Sequence, residues 1–346
     1  MRARNHKMAA RARISLLLGT LWIIPAWVLA QSAGSSVTQR PDPEGVPTKV
    51  SLAVYLLDLV AVDDVRQEFT ADLFFIARWR DARLALPEAA EAPSRTLPIS
   101  QVWFPDIGLL NRRAASLYLP QIVRVDGEGA VVYSQRIYGQ FSSRLDLVRF
   151  PADKQTFEVR LVSYRYGPEE VALEIDPARS GRLEQLSAAG WTIGDPVVEA
   201  EPLVVPSAGS MARAGAVYRV QAERDTTYYR LTFLVPLVLI ALMAWSVFWI
   251  DPSLLPSQIG VSTASVFSLI AFRFSLQGSL PKISYLTTAD WFVLSVTLLV
   301  FAALGEAVLT GRLAKIDRGD LARRIDSWAR WIYLAVLVVV VLSFAL

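Results

Sequence analysis

Side chains able to carry acid–base, nucleophilic or metal chemistry are scarce in this chain. Its 346 residues hold one histidine, His6, and no cysteine. The ligands for a zinc site and the thiolate for a cysteine nucleophile are therefore missing. No nucleophile–base pair stands out, so an enzyme reading has no residues to rest on, and only detectable turnover would revive it. What remains is polar chemistry in an apolar setting. The segment from Ser257 to Leu276 is long enough to cross a bilayer as a helix, yet it carries Gln258, Ser262, Thr263, Ser265, Ser268 and Arg273. In hydrocarbon each such group needs a partner, so a span of this kind lines water or meets other helices. We read it as a pore-lining helix.

The segments around it supply the means of positioning it. A basic stretch (Arg2, Arg4, Lys7, Arg11, Arg13), an apolar run Ile14–Val28 and the small-residue site ending at Ala30 predict a signal peptide over residues 1–30. Without it 30 basic side chains face 32 acidic ones, no histidine remains, and the basic balance that would suggest nucleic acid disappears. Residues 31–47, rich in Pro, Gly and Ser, predict a flexible leader. Residues 48–228 alternate in short β-branched runs such as Ala71–Trp79, Ala130–Ile137, Thr156–Ser163 and Ala216–Ala222. Asp126-Gly127-Glu128-Gly129 marks a hairpin between two of them. This pattern predicts an immunoglobulin-like β-sandwich. Residues 229–346 then predict a four-helix transmembrane bundle, with helices over about 229–250, 256–278, 288–310 and 329–346. Trp328 and Trp331 would anchor the last at the membrane interface. Its predecessor connects through a linker, 311–328, that carries Arg312, Lys315, Arg318, Arg323 and Arg324 and is expected in the cytoplasm by the positive-inside rule. The sandwich is then outside. The fold class is a β + α membrane protein.

Six short motifs stand in order along this text. They are Trp79-Arg80-Asp81-Ala82-Arg83-Leu84, Trp103-Phe104-Pro105-Asp106, Phe150-Pro151-Ala152-Asp153-Lys154-Gln155, Ser163-Tyr164-Arg165-Tyr166, Ser279-Leu280-Pro281-Lys282-Ile283-Ser284-Tyr285 and Phe301-Ala302-Ala303-Leu304. Together they resemble the pentameric ligand-gated ion channels, the Cys-loop receptors and their bacterial relatives, over nearly everything after residue 50. The two cysteines of the animal receptors would fall on Ser143 and Phe157, and their absence is what bacterial members show. The resemblance implies a homopentamer in a bacterial inner membrane, with its first domain periplasmic. It implies a small-molecule agonist, inorganic ions and membrane lipid as partners, no nucleic acid and no cofactor.

It also implies roles for single residues. Arg224, twelve before Pro236, would form a charged joint between sandwich and bundle with Asp153, Asp64 and Asp63, beside Phe150 and Pro151. Pro281 and Lys282 would press on that joint from the loop after the second span. The ligand would lie between neighbouring sandwiches, with Tyr164, the Ser207–Gly215 segment and Arg213 on one face and Phe74, Arg78, Ser134 and Arg136 on the other. Alternation along an extended strand puts Phe74, Ile76 and Arg78 on one side. Gly108 stands where relatives often have an aromatic, which argues against an aromatic cage for a quaternary ammonium. The three arginines hint at a carboxylate ligand, although a solvated surface is the commoner role for such residues. A proton-gated relative would need acid–base residues where Gln67 and Leu269 stand, and Glu68 next door points the other way. At the cytoplasmic mouth Pro256-Ser257 replaces the glutamate ring of cation channels, which favours anion or weak selectivity.

Two arguments disagree about the second span. Amphipathicity at 100° per residue turns Gln258, Ser262 and Ser265 to water. The family register, fixed by Pro256 and Pro281, instead points Pro256, Gly260, Ala264, Phe267, Ala271, Phe274 and Gly278 into the pore, with Phe267 and Phe274 as gating rings. We follow the register, because Ser and Thr can bond helix carbonyls. The alternatives are a cation-selective or proton-gated channel of the same kind, or a non-conducting periplasmic binding receptor.

Overall fold

The computed structural model describes residues 37–42, 45–86, 94–206, 211–276 and 283–345. Among them fourteen strands precede four long helices. In chain order the strands are β1 (Thr48–Asp63), β2 (Glu68–Arg80), β3 (Ser94–Pro98), β4 (Ile107–Leu109), β5 (Arg112–Leu117), β6 (Ile122–Asp126), β7 (Ala130–Ser142), β8 (Lys154–Ser163), β9 (Val171–Ile175), β10 (Gly181–Arg182), β11 (Trp191–Ala200), β12 (Leu203–Val204), β13 (Ala212–Arg213) and β14 (Gly215–Arg224). One sheet runs β10-β1-β2-β7-β6-β3, with β5 added to β7 and β9 to β1. The other runs β11-β14-β8-β4. A period of two explains both faces: along β2, Phe69, Leu73, Phe75, Ala77 and Trp79 are buried, while Phe74, Ile76 and Arg78 turn outward together. Between the sheets Trp79 meets Trp103 edge-on at 5.8 Å, and the Trp103 Nε1–H donates to the Tyr166 hydroxyl at 2.9 Å. Phe157, at one of the two cysteine positions of the animal receptors, is buried against Phe69 and Trp191. The turn between β6 and β7 is closed by Asp126, whose Oδ1 accepts from the Glu128 and Ala130 amides.

The helices are α1 (Thr227–Trp249), α2 (Leu255–Ser275), α3 (Thr288–Lys315) and α4 (Gly319–Ala345), each long and apolar enough to cross a membrane. A wide turn over Arg230–Leu234 precedes Pro236, which has no N–H to give to the helix ladder. Thr287 and Asp290 cap α3 reciprocally. α4 is fastened to α1 by the Trp245 indole N–H, which donates to the Arg330 carbonyl at 2.9 Å, and by the Tyr333 hydroxyl, which donates to the Ala241 carbonyl at 3.0 Å.

Two expectations need correction here. The linker 311–328 is mostly helix: α3 runs on to Lys315, α4 starts at Gly319, and only Ile316–Arg318 turn, with Asp317 at φ 57°. The apolar pattern stops at the edge of the hydrocarbon, but Arg, Lys and Leu are good helix formers, so the helices continue past it. The leader is pinned where it is described. The Val37 carbonyl accepts from the Trp103 amide at 2.9 Å, and the Arg40 guanidinium donates to the Val46 and Glu170 carbonyls. The signal-peptide segment, Gly278, Pro281 and Lys282 lie outside the described residues.

Candidate coupling joint, ligand faces and pore helix

β14 ends on Arg224, directly opposite Trp191 of β11. Its guanidinium Nε donates to Asp153 Oδ1 at 2.8 Å, and Nη2 donates to Asp64 Oδ1 at 2.7 Å and Asp153 Oδ2 at 3.3 Å. The Arg224 side chain is 5% exposed and that of Asp153 1%. The charged plane lies 4.2 Å from the Trp191 ring centre and 5.0 Å from that of Phe150. Burial opposes the charge of Arg224, but the Asp153 and Asp64 carboxylates outweigh it and hold the guanidinium above its ordinary pKa. Asp64 pushes the other way. Burial raises its carboxyl above the usual range against the pull of Arg224, and the negative charge of Asp153 adds to the rise. Asp153 also accepts from Gln155 Nε2, which donates a second bond to the Asp146 carbonyl.

Asp63 does not join this network. Its Oδ1 accepts from the Val65 and Arg66 amides and so shapes the β1–β2 turn. Trp191 and Tyr229, which sequence reasoning missed, supply aromatic walls. The register of β11 on β14 is the signal that would have found Trp191. Also missed was how the Phe150–Pro151 loop seats on the bundle. The Val148 and Phe150 carbonyls accept from the Thr288 and Ala289 amides at 2.9 and 3.1 Å, satisfying free N–H groups at the start of α3. The Tyr285 hydroxyl accepts from the Leu147 amide at 3.1 Å. Pro151 is buried in that same loop.

The ligand candidates fall into two groups. Ser134 and Arg136 of β7 stand opposite Ile76 and Phe74 of β2. Arg136 is already engaged: its Nη2 donates to Asp72 Oδ2 at 2.6 Å and its Nε to both Asp72 oxygens. That carboxylate holds the guanidinium above its ordinary pKa. Arg78 lies 3.7 Å from Asp176 and, with Ser134, lines an open cavity of about 440 Å³ bordered by Leu119, Ile122 and Arg124. The second group is at the ends of β8 and β13. The Tyr164 hydroxyl donates to the Leu109 carbonyl at 2.9 Å, and its ring lies over Gly108, where a Cβ would come within 2.5 Å of it. Gly108 thus makes room for Tyr164 instead of supplying an aromatic of its own. Arg213 Nη1 donates to the Arg165 carbonyl at 2.7 Å, and its Nε is buried with no partner among the described residues. No hydrogen bond or ion pair links the two groups within the described chain.

On α2 the two arguments are separated by burial. Gln258, Ser262, Ser265 and Leu269 are buried against the other helices. Gln258 Nε2 donates to the Ile250 carbonyl at 3.0 Å, and the Ser265 hydroxyl to the Val261 carbonyl at 2.9 Å. Pro256, Gly260, Ala264, Phe267, Ala271 and Phe274 are exposed on the other side, Phe267 and Phe274 at 66% each. Within the chain the hydroxyl stripe faces protein: the Ser265 hydroxyl is satisfied on a carbonyl of its own helix, while the Ser262 hydroxyl is buried with no partner among the described residues. Leu269 is buried in the bundle, and Gln67, at φ 55°, accepts the Leu145 amide and donates to the Asp64 carbonyl. Neither position carries an ionisable group.

Residues 34–196 match the sequence pattern described as neurotransmitter-gated ion-channel ligand binding domain, and residues 233–315 match the neurotransmitter-gated ion-channel transmembrane region. The chain belongs to the neurotransmitter-gated ion-channel family. That is a family of channels, not of enzymes. Among its relatives is the gamma-aminobutyric acid receptor subunit beta-4 of Gallus gallus, 27% identical over 283 residues, which are 79% of this chain and 57% of that one. The chain thus spans little more than half the length of this relative.

Proposed function

We propose that five copies of this chain form a ligand-gated ion channel in a cell membrane, with α2 lining the pore and the sandwich outside. The observation that carries the reading is the outward face of α2. Six residues of the family register lie bare on a membrane-length helix whose polar stripe is buried in its own bundle. A bare row that carries two phenylalanines has a use around a central axis, where five rings at one level stop ions by dewetting. In this account a small agonist binds between sandwiches, touching Tyr164 and Arg213 of one copy and Phe74, Arg78, Ser134 and Arg136 of the next. The Arg224–Asp153–Asp64 joint and the loop seated on α3 pass the movement to the bundle. The pore is anion-permeant or weakly selective, a reading supported by the lack of any acidic residue between Pro252 and Thr288.

Purified protein in planar bilayers under asymmetric chloride salts, screened against pH, small amines and small acids, tests this. The expected result is agonist-dependent current reversing near the chloride potential. Reversal at the cation potential would make the pore cation-selective. Saturable agonist binding with no current would make the protein a non-conducting receptor.

A further inference from the structure

The channel account gives the segment ahead of β1 no task, yet Val37–Asp42 is bonded to the sandwich along its length. The Val37 carbonyl accepts from the Trp103 amide at 2.9 Å, and the Val37 side chain packs on the sandwich core. The Gln39 carbonyl accepts at 2.8 Å from Nη2 of Arg83, a guanidinium also fixed on both oxygens of Asp81. Asp42 Oδ2 accepts from the Thr48 hydroxyl at 3.2 Å. Arg40 reaches furthest. Its Nη1 donates to the Val46 carbonyl at 2.8 Å and to the Glu170 carbonyl at 3.0 Å, the latter 130 residues along the chain. The same Glu170 carbonyl receives the Thr48 amide at 2.9 Å, at the first rung of the parallel β1–β9 pair. Arg40 therefore caps that pair where it begins.

The two loops reached in this way are the ones that hold Tyr164. On one side, just after Trp103, the Pro105 carbonyl accepts from the Ser163 hydroxyl at 2.6 Å and the Asp106 carbonyl from the Tyr164 amide at 3.1 Å. On the other side, just after Tyr166, the turn Gly167–Glu170 closes on itself. The Gly167 amide donates to Glu170 Oε2 and the Glu170 amide to the Gly167 carbonyl, each at 3.1 Å. The Tyr166 amide donates to the Ser163 hydroxyl at 3.1 Å between them. The backbone of Tyr164 thus hangs between a loop fastened by Val37 and a turn fastened by Arg40, while Tyr164 itself is 39% exposed. A side chain offered to a ligand is placed only as well as the groups behind it. A guanidinium bonded to two carbonyls fixes both through charge-assisted bonds. We propose that Arg40 is a positioning residue for the ligand face: by capping the β1–β9 pair it holds the Gly167–Glu170 turn, and so sets where Tyr164 is presented. This rests on Tyr164 being a ligand residue, as in the function proposed above.

The test is hydrogen exchange, read by mass spectrometry on the full-length protein in phosphatidylcholine vesicles. Arg40→Ala should speed exchange of the Tyr164 and Tyr166 amides about fivefold, although Arg40 bonds neither, and leave those of β2 and β7 unchanged. Arg40→Lys, which keeps the charge and a donor, should restore slow exchange. Should the alanine variant not insert, Arg40→Gln is measured in its place with the same expectation. In planar bilayers the probes are propionate and ethylamine. For whichever opens the unaltered channel, Arg40→Ala should raise the half-maximal concentration about threefold and leave conductance alone. In a Tyr164→Ala background the same change should add less than about twofold. Unchanged exchange at Tyr164 and Tyr166 would overturn the proposal. Equal speeding throughout the sandwich would make Arg40 a general stabiliser and overturn it too. So would faster exchange with an unshifted half-maximal concentration, or a full shift that persists without Tyr164. If neither compound opens the unaltered channel, that counts against the channel reading alone, and the exchange rates decide whether Arg40 holds Tyr164.

Discussion

Arg224 is gripped by two carboxylates and walled by aromatic rings, so its removal does more than delete a contact. Arg224→Ala leaves Asp153 and Asp64 facing one another without a counter-charge, a change that costs about 3–5 kcal/mol when the pair is buried. Gating should be lost or greatly weakened while pentamers still assemble. In a double-mutant cycle Arg224→Ala and Asp153→Asn should be non-additive by more than about 0.5 kcal/mol; additivity within that margin would remove the pairing from the mechanism. Asp64 gives the joint a pH dependence of defined sign. Its folded carboxyl sits above the ordinary range because it is buried. The stability it contributes is therefore full below the ordinary carboxylate value and is lost as pH rises through the raised one. Relative to Asp64→Asn, the melting temperature of the unaltered protein should fall from about pH 4 upwards. A difference that grows with pH would mean that Arg224 governs the titration. At the ligand faces, Tyr164→Ala should shift the agonist response without altering single-channel conductance. Arg136 needs a paired change, since its loss strands Asp72; Arg136→Gln with Asp72→Asn should shift agonist response in the same way. Altered conductance with unchanged sensitivity would show both residues misplaced. The joint was legible in the sequence as Arg224, Asp153 and Asp64 through the family resemblance, since Arg224 stands twelve residues before Pro236 and Asp153 lies inside the Phe150–Gln155 motif. Its aromatic walls were not: Trp191 and Tyr229 meet the guanidinium only through the β11–β14 register and the first turn of α1. Asp63, an acid next to an acid, looks like Asp64 in a sequence and differs only in facing its own turn.

Helix α2 sets its polar stripe and its bare face on different sides. An amphipathic reading assumes that polar residues seek water, yet Ser262 and Ser265 are fully buried against the bundle. The bare face is the one with Gly260, Ala264 and the two phenylalanines. Phe267→Ser should wet the constriction and give a leaky or agonist-hypersensitive channel, read as current without agonist or a lower half-maximal concentration. Ser265→Phe, placed in a closed interior, should instead destabilise by about 1–3 kcal/mol and leave permeation alone. The reverse pattern would exchange the two faces. The strands were legible because a half-buried sheet alternates residue by residue. The ends of α3 and α4 were not, since charged residues continue a helix as readily as they end a membrane span.

For the whole molecule, the account requires that copies of the chain close around an axis with α2 innermost. The sandwich, the seat of the Phe150–Pro151 loop on α3 and the clamp of α4 on α1 tie each copy into one unit. The ligand faces, which do not meet within the described chain, then meet between copies. Because the chain has no cysteine of its own, it is a clean background for cysteine substitution one position at a time from Pro256 to Phe274, with a water-soluble thiol reagent applied to open channels. Block at 260, 264, 267, 271 and 274, with 258, 262 and 265 spared, is the result this account predicts. Block at 258, 262 and 265 with 260, 264 and 267 spared would contradict it and turn the hydroxyl stripe to the pore.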